Sequence, residues 1–350
     1  MITLLVLTKN RSDFLIRLLR YYEDTGFEGC ICIADGSGPD HVERTKRMIE
    51  TLRGKFSIVY KGYPDLTLSE CLKRLLDFVS TPYAAFCGDD DFLIPSALNK
   101  CAKFLDDHPD YAFAHGKGVN IALDKKGPYG RIVDCSCYQQ DEIEAESASQ
   151  RLDYYLRHGH ITIFSVHRSE YLRVMYRDSY VLKDVVFGSE LIPCCHSIIL
   201  GKSKQLDCFH VVRQGHAQQI VIRSGYNWIT NPEWYSGYRV FRDSLAEALA
   251  LQDNISIVEA QKTVNHAFCA LLNNPDFLCS PTNKNSHSLW VRVGRKIPGA
   301  QRIWQFLHSF SGVSLSALLR SSSPYHSDFM PVYKALTTPP TEFLNETTGK

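Results

Sequence analysis

The sequence has no excess of either charge, since 39 Lys and Arg stand against 38 Asp and Glu. No global field attracts a polyanion, which argues against nucleic acid as the main partner. No hydrophobic run is long enough to cross a membrane. The apolar start, Met1-Ile-Thr-Leu-Leu-Val-Leu-Thr, lacks a basic leader and a small-residue cleavage site, so it reads as a first strand and the chain is expected to be cytoplasmic. Cysteine is plentiful, at twelve residues, but the paired C-x2-C spacing of a zinc site is missing. Cys30 and Cys32, Cys135 and Cys137, and Cys194 and Cys195 therefore read as reduced thiols that act as small buried hydrophobes. No G-x-G-x-x-G follows the first strand, which disfavours a dinucleotide-binding dehydrogenase. Thr8 to Asp13 contains no glycine, which disfavours a nucleotidyltransferase that grips a triphosphate in a glycine-rich loop. There is no internal repeat.

What is present is an ordinary globular composition, 44% hydrophobic and 22% charged over 350 residues, long enough for one large domain and an accessory segment. Ile2 to Leu7 is strand-like, and the stripe Phe14, Leu15, Leu18, Leu19 and Tyr22 marks an amphipathic helix after it. Gly29 to Ala34 is a second strand, ending in Asp35-Gly36-Ser37-Gly38-Pro39-Asp40. A helix over residues 41–53, a strand at Phe56 to Tyr60, a helix at Leu68 to Val79 and a strand at Tyr83 to Cys87 follow. This alternation predicts an α/β fold with a mostly parallel sheet flanked by helices, its ligand site at the carboxyl ends of the strands.

Beyond Pro95 the pattern predicts a helix to about Asp106, strands at Tyr111 to His115 and Val119 to Leu123, and an irregular loop over Gly127 to Gln140. A helix at Ala145 to Arg157, a strand at Ile161 to His167 and a short strand at Gln205 to Val212 complete the sheet region. Trp234 to Leu272 is strongly helical. Leu289 to Phe310 is a basic amphipathic stretch that either packs on its own domain or lies on an anionic membrane surface. The organisation expected is a domain over 1–220, divided into a nucleotide-binding half (1–115) and an acceptor half (116–220), a helical appendage (221–280) and a tail (281–350).

The chemistry centres on Phe86 to Pro95, F-C-G-D-D-D-F-L-I-P. Asp89, Asp90 and Asp91 arrive together at the end of an apolar strand, where three like charges repel unless a cation sits among them. Mg2+ or Mn2+, held by one or two carboxylates and completed by phosphate oxygens, suits such a triplet. The alternative is a solvated acidic turn ahead of the next helix.

Thr8 to Arg11 (T-K-N-R), Asp35 to Ser37 (D-G-S), the T-P-Y strand and D-D-D-F-L-I-P stand in an order and spacing that resembles the family 2 GT-A glycosyltransferases, over about residues 1 to 220. The resemblance implies a GT-A fold, a nucleotide-sugar donor such as a UDP-sugar, Mn2+ or Mg2+, and inverting transfer to a glycan or lipid-linked hydroxyl. Peripheral membrane association is an expectation of the basic amphipathic stretch Leu289 to Phe310. By position, Thr8, Asn10 and Arg11 would lie beside the nucleotide, Asp35 would accept from the base, and Lys73 would approach the base or diphosphate. Asp89 and Asp90 would serve donor binding, with Asp90 toward the ribose; Asp91, with Asp89, would hold the metal. His216 would be a third ligand or, with Arg213, would offset diphosphate charge. The sequence departs from the family at Gly88, where a first aspartate is common, and at Ser189-Glu190, where the family has Glu-Asp. Glu190 is the first choice of general base and Asp184 the reserve. A non-catalytic nucleotide-sugar-binding module is the alternative.

Overall fold

A strand covered on both faces and paired along both edges is an unbroken apolar run, and Ile2–Thr8 (β1) is one. All seven residues are buried. β1 pairs in parallel with β2 (Cys30–Asp35) on one edge and β4 (Tyr83–Gly88) on the other. The structure is a computed structural model that describes residues 1–54, 56–159, 161–182, 184, 186–216, 225–274 and 314–340. The basic amphipathic stretch at 289–310 lies outside the described residues. Among those described, no helix is long and apolar enough to cross a membrane.

The connections β1–α1 (Ser12–Asp24)–β2–α2 (Pro39–Thr51)–β3 (Ser57–Gly62)–α3 (Leu68–Leu76)–β4 build the parallel half of the sheet. β4 runs into the aspartate turn, the two-residue β5 (Phe92–Leu93) and α4 (Pro95–Asp107). The second half contains β6 (Tyr111–Leu123), β7 (Ile132–Tyr138), α5 (Ala148–His158), β8 (Val166–Arg168), α6 (Ser169–Met175), α7 (Ile192–Leu200) and β9 (Lys202–Gly215). The nine strands order as β3-β2-β1-β4-β8-β6-β9-β5, with β7 paired to β6. β6 and β9 are parallel, while β8 joins β4 to β6 in antiparallel fashion. This is the expected mostly parallel α/β sheet with helices against it.

Four elements differ from expectation. Residues 132–138, read as loop, form β7. Among the described residues it pairs with β6 alone and has a single buried residue, so it carries little core-facing pattern to betray it. The two strands expected in 111–123 are one, because Gly116 lets β9 approach: a Cβ there would lie 2.4 Å from the Cys208 carbonyl oxygen. The strand expected at 161–167 is reduced to Val166–Arg168, and β9 is longer than expected at both ends.

After α8 (Gly225–Ile229), the helices α9 (Trp234–Asp253) and α10 (Ile257–Leu272) pack on α5 and α7. Phe241, Leu245 and Phe268 belong to the same buried cluster as Leu4, Val6 and Phe113 of the sheet. α11 (Leu315–Leu318) and α12 (His326–Thr337) follow, and α12 packs on α1 and β9. α12 is tied down where Ser96 Oγ donates to Asp328 (2.8 Å) and Gly130 N–H donates to the Leu336 carbonyl (3.0 Å).

Candidate functional site

β1, β2, β4 and β9 all deliver polar residues at one end of the sheet. β1 ends at Thr8, whose Oγ1 donates to Asp89 Oδ2 at 2.7 Å. Arg11, at the start of α1, holds the same carboxylate from the other side, with Nη2 2.5 Å from Oδ1 and Nε 3.1 Å from Oδ2. Asp89 is fully buried, and burial, opposed by Arg11, pushes its carboxyl up to about 7.

Asp90 turns to a different set. His216 Nε2 lies 2.6 Å and Arg11 Nη1 3.3 Å from its Oδ2. Burial would raise this carboxyl, but the His216 hydrogen bond and the Arg11 charge outweigh it and hold the group below the usual range. His216 is positioned by stacking on Phe14, with ring centroids 4.8 Å apart. Asp91 accepts from the Gln214 N–H (3.1 Å) and Arg213 Nε (3.4 Å), both from the end of β9. Its burial, reinforced by Asp90, pushes it up to about 7. The Arg213 guanidinium lies 4.3 Å from the Phe164 ring centre, an apolar wall that fixes its plane.

Gly88, the departure noted in the sequence, has a physical reason here. A Cβ at this position would lie 2.5 Å from Asp90 Oδ1 and 2.9 Å from Asp91 Oδ2. Those two oxygens therefore face the same spot above the Gly88 Cα, and a side chain there would occupy it. Among the described residues, no group of three His, Cys, Asp or Glu side chains is arranged to hold a metal ion.

The second-strand motif forms the neighbouring wall. Asp35 accepts from the Ser37 N–H (2.8 Å) and from the Tyr60 hydroxyl (2.6 Å). Asn10 adopts φ 55°, a left-handed conformation asparagine tolerates, and its side-chain oxygen accepts from the Gly38 N–H at 2.9 Å. Its own N–H donates to Ser37 Oγ (2.7 Å), so the two loops brace one another. Lys73 stands on the exposed side of the last turn of α3.

The two candidate bases are separated by their partners. Asp184 accepts from the Phe187 N–H (2.9 Å) and from Trp228 Nε1 (2.8 Å), which pins both of its oxygens to the scaffold. Glu190 sits in a π-helical turn, Val186–Leu191, close enough to Arg213 to feel its charge. Burial pushes its carboxyl up to about 7, against the lowering effect of Arg213. Thr8, Arg11, the three aspartates, Arg213 and His216 thus meet directly, and Glu190 adjoins them through Arg213. Sequence reasoning missed Arg17, Gln214, Tyr60 and Phe14, which hold these groups in place.

No family model matches the chain, and no curated protein matches it. Among solved structures, the chain is similar to residues 1–349 of TarS from S. aureus in complex with UDP-GlcNAc, at 15% identity and a TM-score of 0.51, over 95% of this chain and 88% of that one. The same fragment in complex with UDP is similar at 14% identity and a TM-score of 0.47, over 100% of this chain and 92% of that one. At this level of identity the first of these likenesses shows the shared fold, in agreement with the GT-A arrangement expected from the sequence.

Proposed function

We propose that this chain is a glycosyltransferase that moves a sugar from a nucleoside diphosphate to a hydroxyl of a glycan or lipid-linked acceptor, with inversion. The observation that carries the reading is the pair of oxygens, Asp90 Oδ1 and Asp91 Oδ2, facing one spot above Gly88 at the strand ends. Two carboxylates suffice for Mg2+ or Mn2+ when donor phosphates supply the remaining oxygens, so the lack of a three-ligand cluster fits this use. Held by Asp90 and Asp91, such a cation would neutralise charge on the departing diphosphate. The UDP-GlcNAc bound in the TarS fragment supports a uridine nucleotide as donor.

The chain's own residues divide the remaining work. Asp89 orients Thr8 and Arg11 beside the nucleotide. Asp35, preset by Ser37 and Tyr60, retains lone pairs to accept from the base, and Lys73 serves the base or diphosphate from α3. Arg213 and His216 offset negative charge. Glu190 is the general base: near pH 7 its raised pKa leaves a useful fraction ionised and strong enough to take the acceptor proton. As the acceptor oxygen bonds to the anomeric carbon, the bond from that carbon to the diphosphate oxygen breaks. The proton goes to Glu190 and the electron pair leaves with the diphosphate.

A thermal-shift screen of nucleoside diphosphates and nucleotide sugars, with and without Mn2+, tests donor and metal together. The expected result is stabilisation by a uridine nucleotide only when Mn2+ is present. No stabilisation by any nucleotide under either condition overturns the reading.

A further inference from the structure

Arg17 is an arginine buried at the 1% level on α1, among Phe14, Leu18 and Tyr21 of the helix's buried face. Burial lowers its pKa to about 10, so it remains a cation at neutral pH. Its Nη2 donates to the main-chain oxygen of Asp90 at 2.8 Å. Its Nη1 donates to Gln214 Oε1 and to the Pro128 carbonyl, both at 2.5 Å. One planar group thereby joins the aspartate turn, the end of β9 and the turn before β7.

Each of those partners leads to the site. The Asp90 carbonyl belongs to the peptide linking Asp90 to Asp91. Gln214 presents its backbone N–H to Asp91 Oδ1. The Arg17 guanidinium also lies 5.3 Å from the centre of Phe14, the ring that stacks on His216. Among the described residues its Nε has no hydrogen-bond partner, so its directed contacts there are those of the two terminal nitrogens. A lysine would keep the charge but not the rigid fork that reaches the three oxygens from fixed directions.

We infer that Arg17 is a positioning residue for the cation and diphosphate site: it fixes the Asp90–Asp91 peptide against Gln214, so that the two carboxylates face the spot above Gly88. The inference rests on the donor reading proposed above. Residues that orient metal-binding side chains typically change metal affinity by about 10- to 100-fold when replaced, without touching the ion.

The test is calorimetric titration of the full chain with UDP, at fixed and varied Mn2+ concentrations, for the wild type, Arg17→Lys, Gln214→Met and the double variant. Arg17→Lys is expected to raise the Mn2+ concentration needed for half-maximal UDP binding by about tenfold or more, while UDP affinity at saturating Mn2+ stays at its wild-type level. Gln214→Met should give a smaller shift in the same direction, and the double variant should be no worse than Arg17→Lys alone, because the two act through one contact. If Arg17→Lys does not fold, Gln214→Met decides by the same Mn2+ shift. A folded Arg17→Lys with wild-type Mn2+ dependence, a Gln214→Met without a shift, or additive losses would overturn the inference while leaving the donor reading intact. Absence of UDP binding by the wild type, with or without Mn2+, instead overturns the donor reading and the inference with it.

Discussion

Among the described residues, two arginines are buried in opposite surroundings, Arg17 at 1% exposure and Arg151 at 3%. Arg151, on α5, gives its hydrogen bonds to backbone, with the Asp253 and Glu146 carboxylates near enough to act on its charge. Its Nε and Nη2 donate to the Ile198 and Ile199 carbonyls at 2.8 Å, and Nη1 donates to the Ala145 and Glu146 carbonyls at 2.9 and 2.7 Å. It caps the C-terminal end of α7, where carbonyls lack helical partners and a cation is favoured. Arg17 instead lies behind three aspartates, and its Nε is without a partner among the described residues. In the helical layer, then, buried charge satisfies backbone. At the strand ends, buried charge meets other charge, and Asp89, Asp91 and Glu190 are all pushed up to about 7. Strained carboxyls of this kind gather where binding or catalysis needs them, at a cost in stability.

Glu190→Gln should expose that cost most sharply. Turnover is expected to fall about 100-fold or more with donor affinity retained, and the acidic limb of the kcat profile near pH 7 should vanish. The same variant should be more stable than the wild type at pH 8. A carboxyl whose folded pKa lies above its unfolded value favours folding fully below the unfolded value, and loses that advantage as pH rises through about 7. Glutamine mimics the neutral form, so its gain is about 1 to 3 kcal/mol at pH 8 and disappears below about pH 4.5, as read by denaturant titration. Equal stability at pH 8 would mean that Glu190 is not strained.

Arg151→Met tests the other region. It orphans carbonyls at the end of α7, and a loss of about 3 kcal/mol of folding free energy is expected, with kcat per folded molecule unchanged. A variant as stable as the wild type would erase the contrast between the two arginines. Asp184→Asn is the smallest change. Asparagine keeps one acceptor oxygen for the Phe187 N–H or Trp228 Nε1, so stability should fall by about 1 kcal/mol and turnover by less than about tenfold. A dead Asp184→Asn beside an active Glu190→Gln would exchange the roles of the two carboxylates.

Much of the parallel half of the sheet was legible because its strands are apolar runs between turn signals, and strand order then fixes which ends share a face. Thr8, Asp35 and Asp89 to Asp91 were legible for the same reason, as short polar groups directly after buried strands, and Arg11 only through the family resemblance. Arg17 was not, because an arginine within an amphipathic helix ordinarily marks the solvent side, whereas α1 is buried over Phe14, Leu15, Arg17, Leu18, Leu19, Tyr21 and Tyr22. Gly88 looked like a missing acid until the carboxylates of Asp90 and Asp91 were seen to need its space. β7 escaped notice because an edge strand with a single buried residue carries little core-facing pattern.

The most direct test of the account is release of nucleoside diphosphate from a UDP-sugar in the presence of Mn2+ and a glycan acceptor, compared between the wild type and Asp91→Asn. The wild type should turn over only with Mn2+, and the variant, which keeps an oxygen for the Gln214 N–H, should fold normally and lose about 100- to 1,000-fold of the rate. Turnover that is indifferent to both Mn2+ and Asp91 would contradict the account.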